Sequence, residues 1–432
     1  MATRDQVVNN LSHPISEIGI SNQVGINAGR QRIDSVDLLR GIVMVIMMLD
    51  HTRDFVHNAA LQFDPLDLSR TNAWLFFTRW ITHYCAPVFV FLAGTGAYLQ
   101  LARGKSKGDL SRFLVTRGLW LVLLEVTVVR FGVTFSLDIR FLAFLQVIWA
   151  IGVSMIVLAG LIHLSTRVVG VFGLLMIVLH NLLDRYPVQP WTGPGSPVPS
   201  VTEKLWLILH QQGAFPIAGF PSPIVFVAYP LIPWIGVMAA GYAFGLLYQQ
   251  EAARRRRWLL TIGSVATLLF AIIRFTNFYG DPAPWSRQAT PLFTVLSFLN
   301  TTKYPPSLLY LLMTLGPAII CLALFEKSSG AEMRKSSLRA ALVTFGRVPL
   351  FFYLLQWYTS HVIAIALNFA FGKSVKWLFQ TPIDWVYPPG GTGFNLAVVY
   401  AAWLAGVLLL YPLCKWFAGL KARRTDWWLS YL

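Results

Sequence analysis

The chain is short of charge, of cysteine and of acidic residues, and each shortage removes a class of protein. Only 12% of its 432 residues are charged, about half of what a soluble domain carries. A water-soluble globular fold is excluded on that ground. Cys85, Cys321 and Cys414 lie in or beside apolar runs and form no CxxC pair, so neither a disulfide framework nor a metal site follows from them. There is no Walker loop, GxSxG elbow or HExxH. The "GTG" at 94–96 and the "GGTG" at 390–393 lack the strand-to-helix setting of a nucleotide site. Asp and Glu number 19 against 35 Lys and Arg, a net charge of +16. The basic excess sits between hydrophobic runs, which speaks for membrane topology and against nucleic acid. Residues 1–33 have no early apolar core, so they read as a polar cytoplasmic tail rather than a signal peptide.

What is abundant is apolar and aromatic. The chain is 56% hydrophobic with 16 Trp, and its mean hydropathy is +0.57. The apolar runs are long and continuous rather than alternating, which favours spanning helices over a barrel. The expected fold class is an all-α polytopic membrane protein of about ten transmembrane helices. They fall near 36–57, 80–101, 112–132, 141–163, 167–184, 225–248, 258–275, 307–325, 342–368 and 394–417. The tail 1–33 precedes a transmembrane domain over 34–420, and 421–432 forms a short cytoplasmic tail. Alternate loops carry Arg103, Lys105, Lys107 and Arg112, then Arg167, then Arg254 to Arg257, then Lys327, Arg334, Lys335 and Arg339, then Lys415, Lys421, Arg423 and Arg424. The positive-inside rule makes this set cytoplasmic and both termini internal, in a multi-pass protein of the cytoplasmic (inner) membrane. The outer loops, 185–224, 276–306 and 369–393, are rich in Pro and Gly, which precludes long regular elements. Residues 201–212 read as a short interfacial helix. No repeat relates the two halves, and no matched pair of broken helices is apparent, so an inverted-repeat transporter gains no support.

The topology gives each polar residue a depth. The first span ends on "MMLDHTRDFVHN" at 47–58, and His51 lies about 22 Å above its start, in the outer third. Asp50, Arg53, Asp54 and His57 share one helical face, and Asp54 is placed to orient the His51 imidazole. His83, His180, His210 and His361 also map to the outer half, leaving only His13 and His163 inside. One such histidine is an ordinary interfacial residue; the cluster reads as functional, because ionisable groups inside a membrane are costly. Glu125 falls mid-span and is expected to pair with Arg130 or Arg140, either as a helix lock or as part of a passage together with Gln146. Arg112, Arg117 and Arg347 stand where helices enter the membrane, as a phosphorylated cytosolic ligand would require.

Four segments occur in a telling order: "SVDLLRGIVMVIMMLDH" at 35–51, "PVFVFLAGTGAYL" at 87–99, "FLQVIWAIGVSMIV" at 144–157 and "GRVPLFFYLLQ" at 346–356. They resemble the catalytic domain of heparan-α-glucosaminide N-acetyltransferase and its bacterial relatives. The resemblance covers most of the chain from about residue 33, and "VDxxRG" is its most specific part. It implies an acetyl group taken from cytosolic acetyl-CoA and delivered to a periplasmic or cell-envelope glycan, with no metal. It also implies a catalytic histidine after the first-span motif. An ungapped reading puts Gln62 at that position, His57 shortly before it, and His51 where the family has a site asparagine. His51 and His57 are both candidates, with His51 favoured for its depth and its neighbours Asp50 and Asp54. Lys105, Arg112, Arg117 and Arg347 would hold the donor phosphates. Arg53, His83, Glu125, Arg130, Arg140, Gln146 and His361 would line the acceptor site or the passage. The residues leave other readings open: a proton-coupled transporter with an outer-half His/Asp/Arg site, or a non-catalytic membrane component. A homodimer is compatible with all of them.

Overall fold

The computed structural model describes residues 33–60, 62–218, 220–327, 336–381, 391–424 and 426–432. The expected tail up to residue 32 lies outside them, as do Arg334 and Lys335 of one basic loop. The described chain is mostly helical. Helix α1 spans Asp34–Val56, with Asp34 and Asp37 in its first turn, where carboxylates suit the helix dipole. Helix α2 (Ala73–Trp80) runs through a 3-10 turn at Ile81–Tyr84 into α3 (Cys85–Ala102). Helix α4 (Lys107–Leu124) continues through a π-helical turn at Glu125–Val129 into α5 (Arg130–Thr134). Strand β1 (Phe141–Leu145) precedes α6 (Val147–Leu161) and α7 (Thr166–Leu179). The outer loop then holds α8 (Val201–Leu209), β2 (Gly213–Pro216) and β3 (Ile224–Val227). There follow α9 (Leu231–Phe244), α10 (Ala252–Thr276), α11 (Pro291–Leu299), α12 (Leu308–Lys327), α13 (Ser337–Arg347), α14 (Pro349–Ala370) and α15 (Leu396–Arg423).

Among the described residues, 7 helices are long and apolar enough to cross a membrane. They are 73–102, 166–185, 231–249, 252–276, 308–326, 349–370 and 396–423. The helices of α10 and α15 bury only 22% of their apolar windows, against 61% for α2–α3, α9 and α12. The first pair therefore presents apolar side chains outward, as lipid-facing helices do, and the second group forms the centre. Three of the ten expected spans fall short by this measure, each for a visible reason. Helix α1 carries Asp34, Asp37, Arg40, Asp50, Arg53 and Asp54. The 112–132 run carries Arg112, Arg117, Glu125 and Arg130 and passes through the π-helical turn. The 141–163 run starts as a strand and leaves a helix of 15 residues. The expected span at 342–368 is two helices: Pro349 cannot extend α13, and Val348 takes a non-helical conformation between them. One of these interruptions, the strand at 141–145, contributes Phe144 to the polar cavity described below.

The fold is the all-α polytopic type expected, with one small three-stranded sheet in the order β1-β3-β2 set into it. Strand β1 pairs with β3 in parallel and β2 with β3 antiparallel. Ala143, Leu145, Val225, Val227 and Phe215 pack with Leu207 of α8 as one small core. Phe144 and Phe226 alternate to the opposite face. The interfacial helix expected at 201–212 is α8, started by a capping box between Ser200 and Glu203.

Close backbone contact locks the "VDxxRG" segment in place. A Cβ on Gly41 would come within 1.8 Å of the Leu342 carbonyl oxygen, and one on Gly346 within 1.8 Å of that of Asp37. Helices α1 and α13 can cross there only because both positions are glycine. The "AGTGA" run works the same way in α3, where Gly94 lies against the Met238 backbone of α9.

Candidate functional site

Three consecutive contacts set α1 against α14. The His51 ring stacks on Trp357 at 3.7 Å between centroids and 18° between planes. Thr52 and Ser360 share a hydroxyl hydrogen bond of 3.1 Å, and Phe55 stacks on His361 at 4.5 Å. This register brings His51, Asp50 and Asp54 to a cavity of about 200 Å³. Helices α1 and α14 form one side of it. Arg79 comes from α2, Val133 from α5 and Gln146 from the N-cap of α6. The sheet contributes Phe144 and Phe226 as a roof, with Gln212, Ala228 and Tyr229 beside them. Lys303 and Tyr304 enter from the 276–306 loop, and Trp377, Leu378 and Gln380 from the segment after α14.

The charges at the base of the cavity close on one another. Arg53 reaches Asp50 at 2.8 Å and Asp54 at 2.5 Å, and Arg79 also pairs with Asp50. Arg53, Arg79 and Asp50 are largely withdrawn from solvent, while Asp54 is 43% exposed along its side chain. Removing one member of such a buried set leaves a charge without a counter-ion, at about 3–5 kcal/mol. The expected role for Asp54 as the orienter of His51 is therefore corrected. Asp54 is taken by Arg53, and His51 is held by stacking on Trp357. His51 Nδ1 is buried with no hydrogen-bond partner among the described residues.

The 276–306 loop is built rather than loose. Arg274, 1% exposed, donates to the carbonyls of Phe298, Ala283, Ser297 and Asn300. Asp281 accepts from the Thr302 amide, the Thr302 hydroxyl and the Ser307 hydroxyl at 2.6–2.9 Å. Lys303 and Tyr304 sit between these anchors. Burial raises the Tyr304 hydroxyl, but the Lys303 ammonium and the Arg79 guanidinium outweigh it and hold the group below the usual phenol range.

Other expected site residues fall elsewhere. His57 lies past the end of α1, where its Nδ1 accepts from the Ala59 amide at 3.2 Å and its backbone bridges to Phe394. It does not line the cavity. His361 is fully buried, with the Gly132 carbonyl at 3.0 Å and the Leu378 carbonyl at 2.7 Å on its two nitrogens. Its place is structural: it ties α5 and the 376–379 turn to α14. His83 is buried beside Tyr310, whose hydroxyl donates to the His83 carbonyl; it does not line the cavity, and both its ring nitrogens are without hydrogen-bond partners among the described residues. Glu125 does not pair with Arg130 or Arg140. Its carboxylate accepts from the Trp149 amide at 2.9 Å, where it meets the unsatisfied N–H groups that start α6. Arg130 donates to the carbonyls of Phe141 and Asp138, and Arg140 pairs with Asp138 at 2.5 Å. Both fasten the turn into β1.

Of the basic residues expected at the donor mouth, Lys105 and Arg117 share the Phe113 ring, at 4.0 and 5.9 Å from its centre. Arg117 donates to the Ser430 carbonyl, because the C-terminal turn Trp427–Ser430 folds back on α4 instead of trailing as a tail. Tyr431 secures it by a 2.7 Å hydroxyl contact to Thr116. Arg347 lies 4.0 Å from both Asp34 and Asp37. Lys105 bonds to Gln100 and stands 4.0 Å over the Phe113 ring. Arg112 is exposed.

A helical, multi-pass bundle with an ion-paired polar cavity beside a small sheet defines an integral membrane protein with charged groups built into its helices. The chain belongs to the family described as heparan-alpha-glucosaminide N-acetyltransferase, catalytic, whose model matches residues 32–276, more than half of the sequence. No curated protein matches the chain. The matched segment supplies Asp50, His51, Asp54, Arg79 and the sheet, whereas Lys303, Tyr304 and Trp357 come from beyond it.

Proposed function

We propose that this protein is a membrane acetyltransferase that moves an acetyl group from cytosolic acetyl-CoA to a sugar amine or hydroxyl on the outer side of the cytoplasmic membrane. In this reading α1 starts inside, both termini are cytoplasmic and the expected ten segments all traverse or enter the bilayer. The observation that carries it is His51, a half-buried histidine on the wall of a polar cavity whose Nδ1 is buried and unpartnered among the described residues, in a chain of this family. His51 takes the proton of the acceptor as the acceptor attacks the thioester carbonyl, and returns it to the departing thiolate as the C–S bond breaks. In the covalent alternative His51 itself attacks the thioester carbonyl, the CoA thiolate leaves as the C–S bond breaks, and the acetyl group passes from the imidazole nitrogen to the acceptor. Asp50 and Asp54 position the guanidiniums of Arg53 and Arg79 rather than touch the reacting atoms.

A line of polar groups below His51 supports passage of the donor. Both side-chain amide atoms of Gln356 and one Glu125 oxygen are buried without hydrogen-bond partners among the described residues, and the Tyr353 hydroxyl lies beside Trp357. An acyl-carrying arm with amide and thioester groups would satisfy such atoms, which are costly when left alone. The test is purified protein with labelled acetyl-CoA, read as CoA release or bound label. Wild type is expected to release CoA and His51→Ala to lose the activity. Equal inertness of the two, with no CoA binding, contradicts the reading, and solute uptake without CoA release points to the transporter.

A further inference from the structure

The wall of the cavity facing α1 carries positive charge that the protein does not neutralise. Two carboxylates, Asp50 and Asp54, are already matched by two guanidiniums, Arg53 and Arg79. Lys303 comes in addition. It is 8% exposed; its ammonium lies beside the Tyr304 hydroxyl, and the Asp50 carboxylate, already shared by Arg53 and Arg79, acts on it as well. The ammonium lies 5.1 Å over the Tyr304 ring, and Tyr304 in turn packs on Tyr229 at 5.4 Å. Withdrawing a cation from water without a counter-ion of its own is unfavourable, and a ligand anion would offset that cost. Arg79 lines the same cavity and commits Nη1 to Asp50. The Asp281 and Arg274 hydrogen bonds on either side hold Lys303 and Tyr304 in place, so this wall is set before any ligand arrives.

We propose that Arg79, Lys303 and Tyr304 form an anion subsite that recognises a carboxylate or phosphate on the acceptor, so that the acceptor is an acidic sugar, a uronic acid or a sugar phosphate, and not a neutral one. This rests on the acetyltransferase reading for the word acceptor, but not for the binding of the anion. The lysine and the arginine supply charge-assisted hydrogen bonds, and the tyrosine hydroxyl adds a donor between them.

The experiment compares matched probes on purified wild type: glucuronate against glucose, and glucosamine 6-phosphate against glucosamine. Binding is read by calorimetry, and CoA release from acetyl-CoA is read separately. The acidic member of each pair is expected to bind about 10-fold more tightly, the worth of one charge-assisted contact. Lys303→Met should bring the acid-to-neutral ratio close to one, and Lys303→Arg should keep it. A purely structural lysine would weaken both members alike and leave the ratio unchanged. Equal binding of acidic and neutral probes by wild type, or a ratio that survives Lys303→Met, overturns the proposal. The ratio should also survive reconstitution with phosphatidylglycerol; its loss there would assign the wall to a lipid headgroup and overturn the acceptor claim. Selective binding of the acids with no CoA release would leave the subsite standing and remove the acetyltransferase reading.

Discussion

Around His51, carboxylates and cations close on one another inside the protein; at the rim expected to face the cytoplasm, the same residue types close on the chain's own backbone or face water. In the cavity, Asp50 holds Arg53 and Arg79 at once, and the imidazole is fixed by Trp357. At the rim, Arg117 meets the Ser430 carbonyl, Arg347 lies at the limit of ion pairing with Asp34 and Asp37, and Arg112 is exposed. The difference separates a preorganised centre from a set of charges whose first task is orientation in the membrane. Preorganised polar groups in a water-poor site favour chemistry. Basic groups at a helix entry favour topology.

Substitutions sharpen that contrast. The largest effect is expected at His51. His51→Ala should lower CoA release about 1000-fold, within the range a general acid–base residue contributes, while thermal unfolding of the purified protein changes little. Next comes Asp50→Asn, which strips two buried guanidiniums of their shared counter-ion and should cost about 3 kcal/mol of stability, seen as a lower unfolding temperature in detergent. Glu125→Ala removes the acceptor at the start of α6 and should cost about 1 kcal/mol, as loss of a helix cap does. The smallest effects belong to the rim. Arg117→Ala should raise the KM for acetyl-CoA about 5-fold, and Arg347→Ala less than about 2-fold, because its charge is half-exposed and already faces two carboxylates. A rim arginine whose loss matched that of His51 would break the contrast.

Part of this was legible in the sequence. Continuous apolar runs placed a helix at every expected span, because that signal is local and long. The dense end of α1 marked His51, Asp50 and Asp54, because ionisable groups stand out in an apolar run. The partners did not show. Arg79 meets Asp50 across 29 positions, and nothing in "TRWITHY" announces it. Lys303 sat in a loop read only for its Pro and Gly, and the Arg274 and Asp281 anchors that order that loop are tertiary. Strand β1 was absorbed into an apolar span, since "FLAFL" suits a buried strand and a helix equally. Glu125 was given an arginine because a lone carboxylate in a membrane needs a partner; the partner proved to be the N-terminus of α6, which became visible only once that helix was known to start mid-segment. The motif leaves His51 and His57 both open, depth and the neighbouring carboxylates favour His51, and the end of α1 at Val56 puts His57 away from the cavity lining.

The account depends most on acetyl transfer at His51 between the two sides of the membrane. The direct measurement uses sealed proteoliposomes with labelled acetyl-CoA confined to one compartment and glucosamine 6-phosphate to the other. The account predicts labelled, acetylated sugar in the compartment without CoA for wild type, and none for His51→Ala. Product confined to the CoA compartment, or equal product from the two proteins, would contradict it.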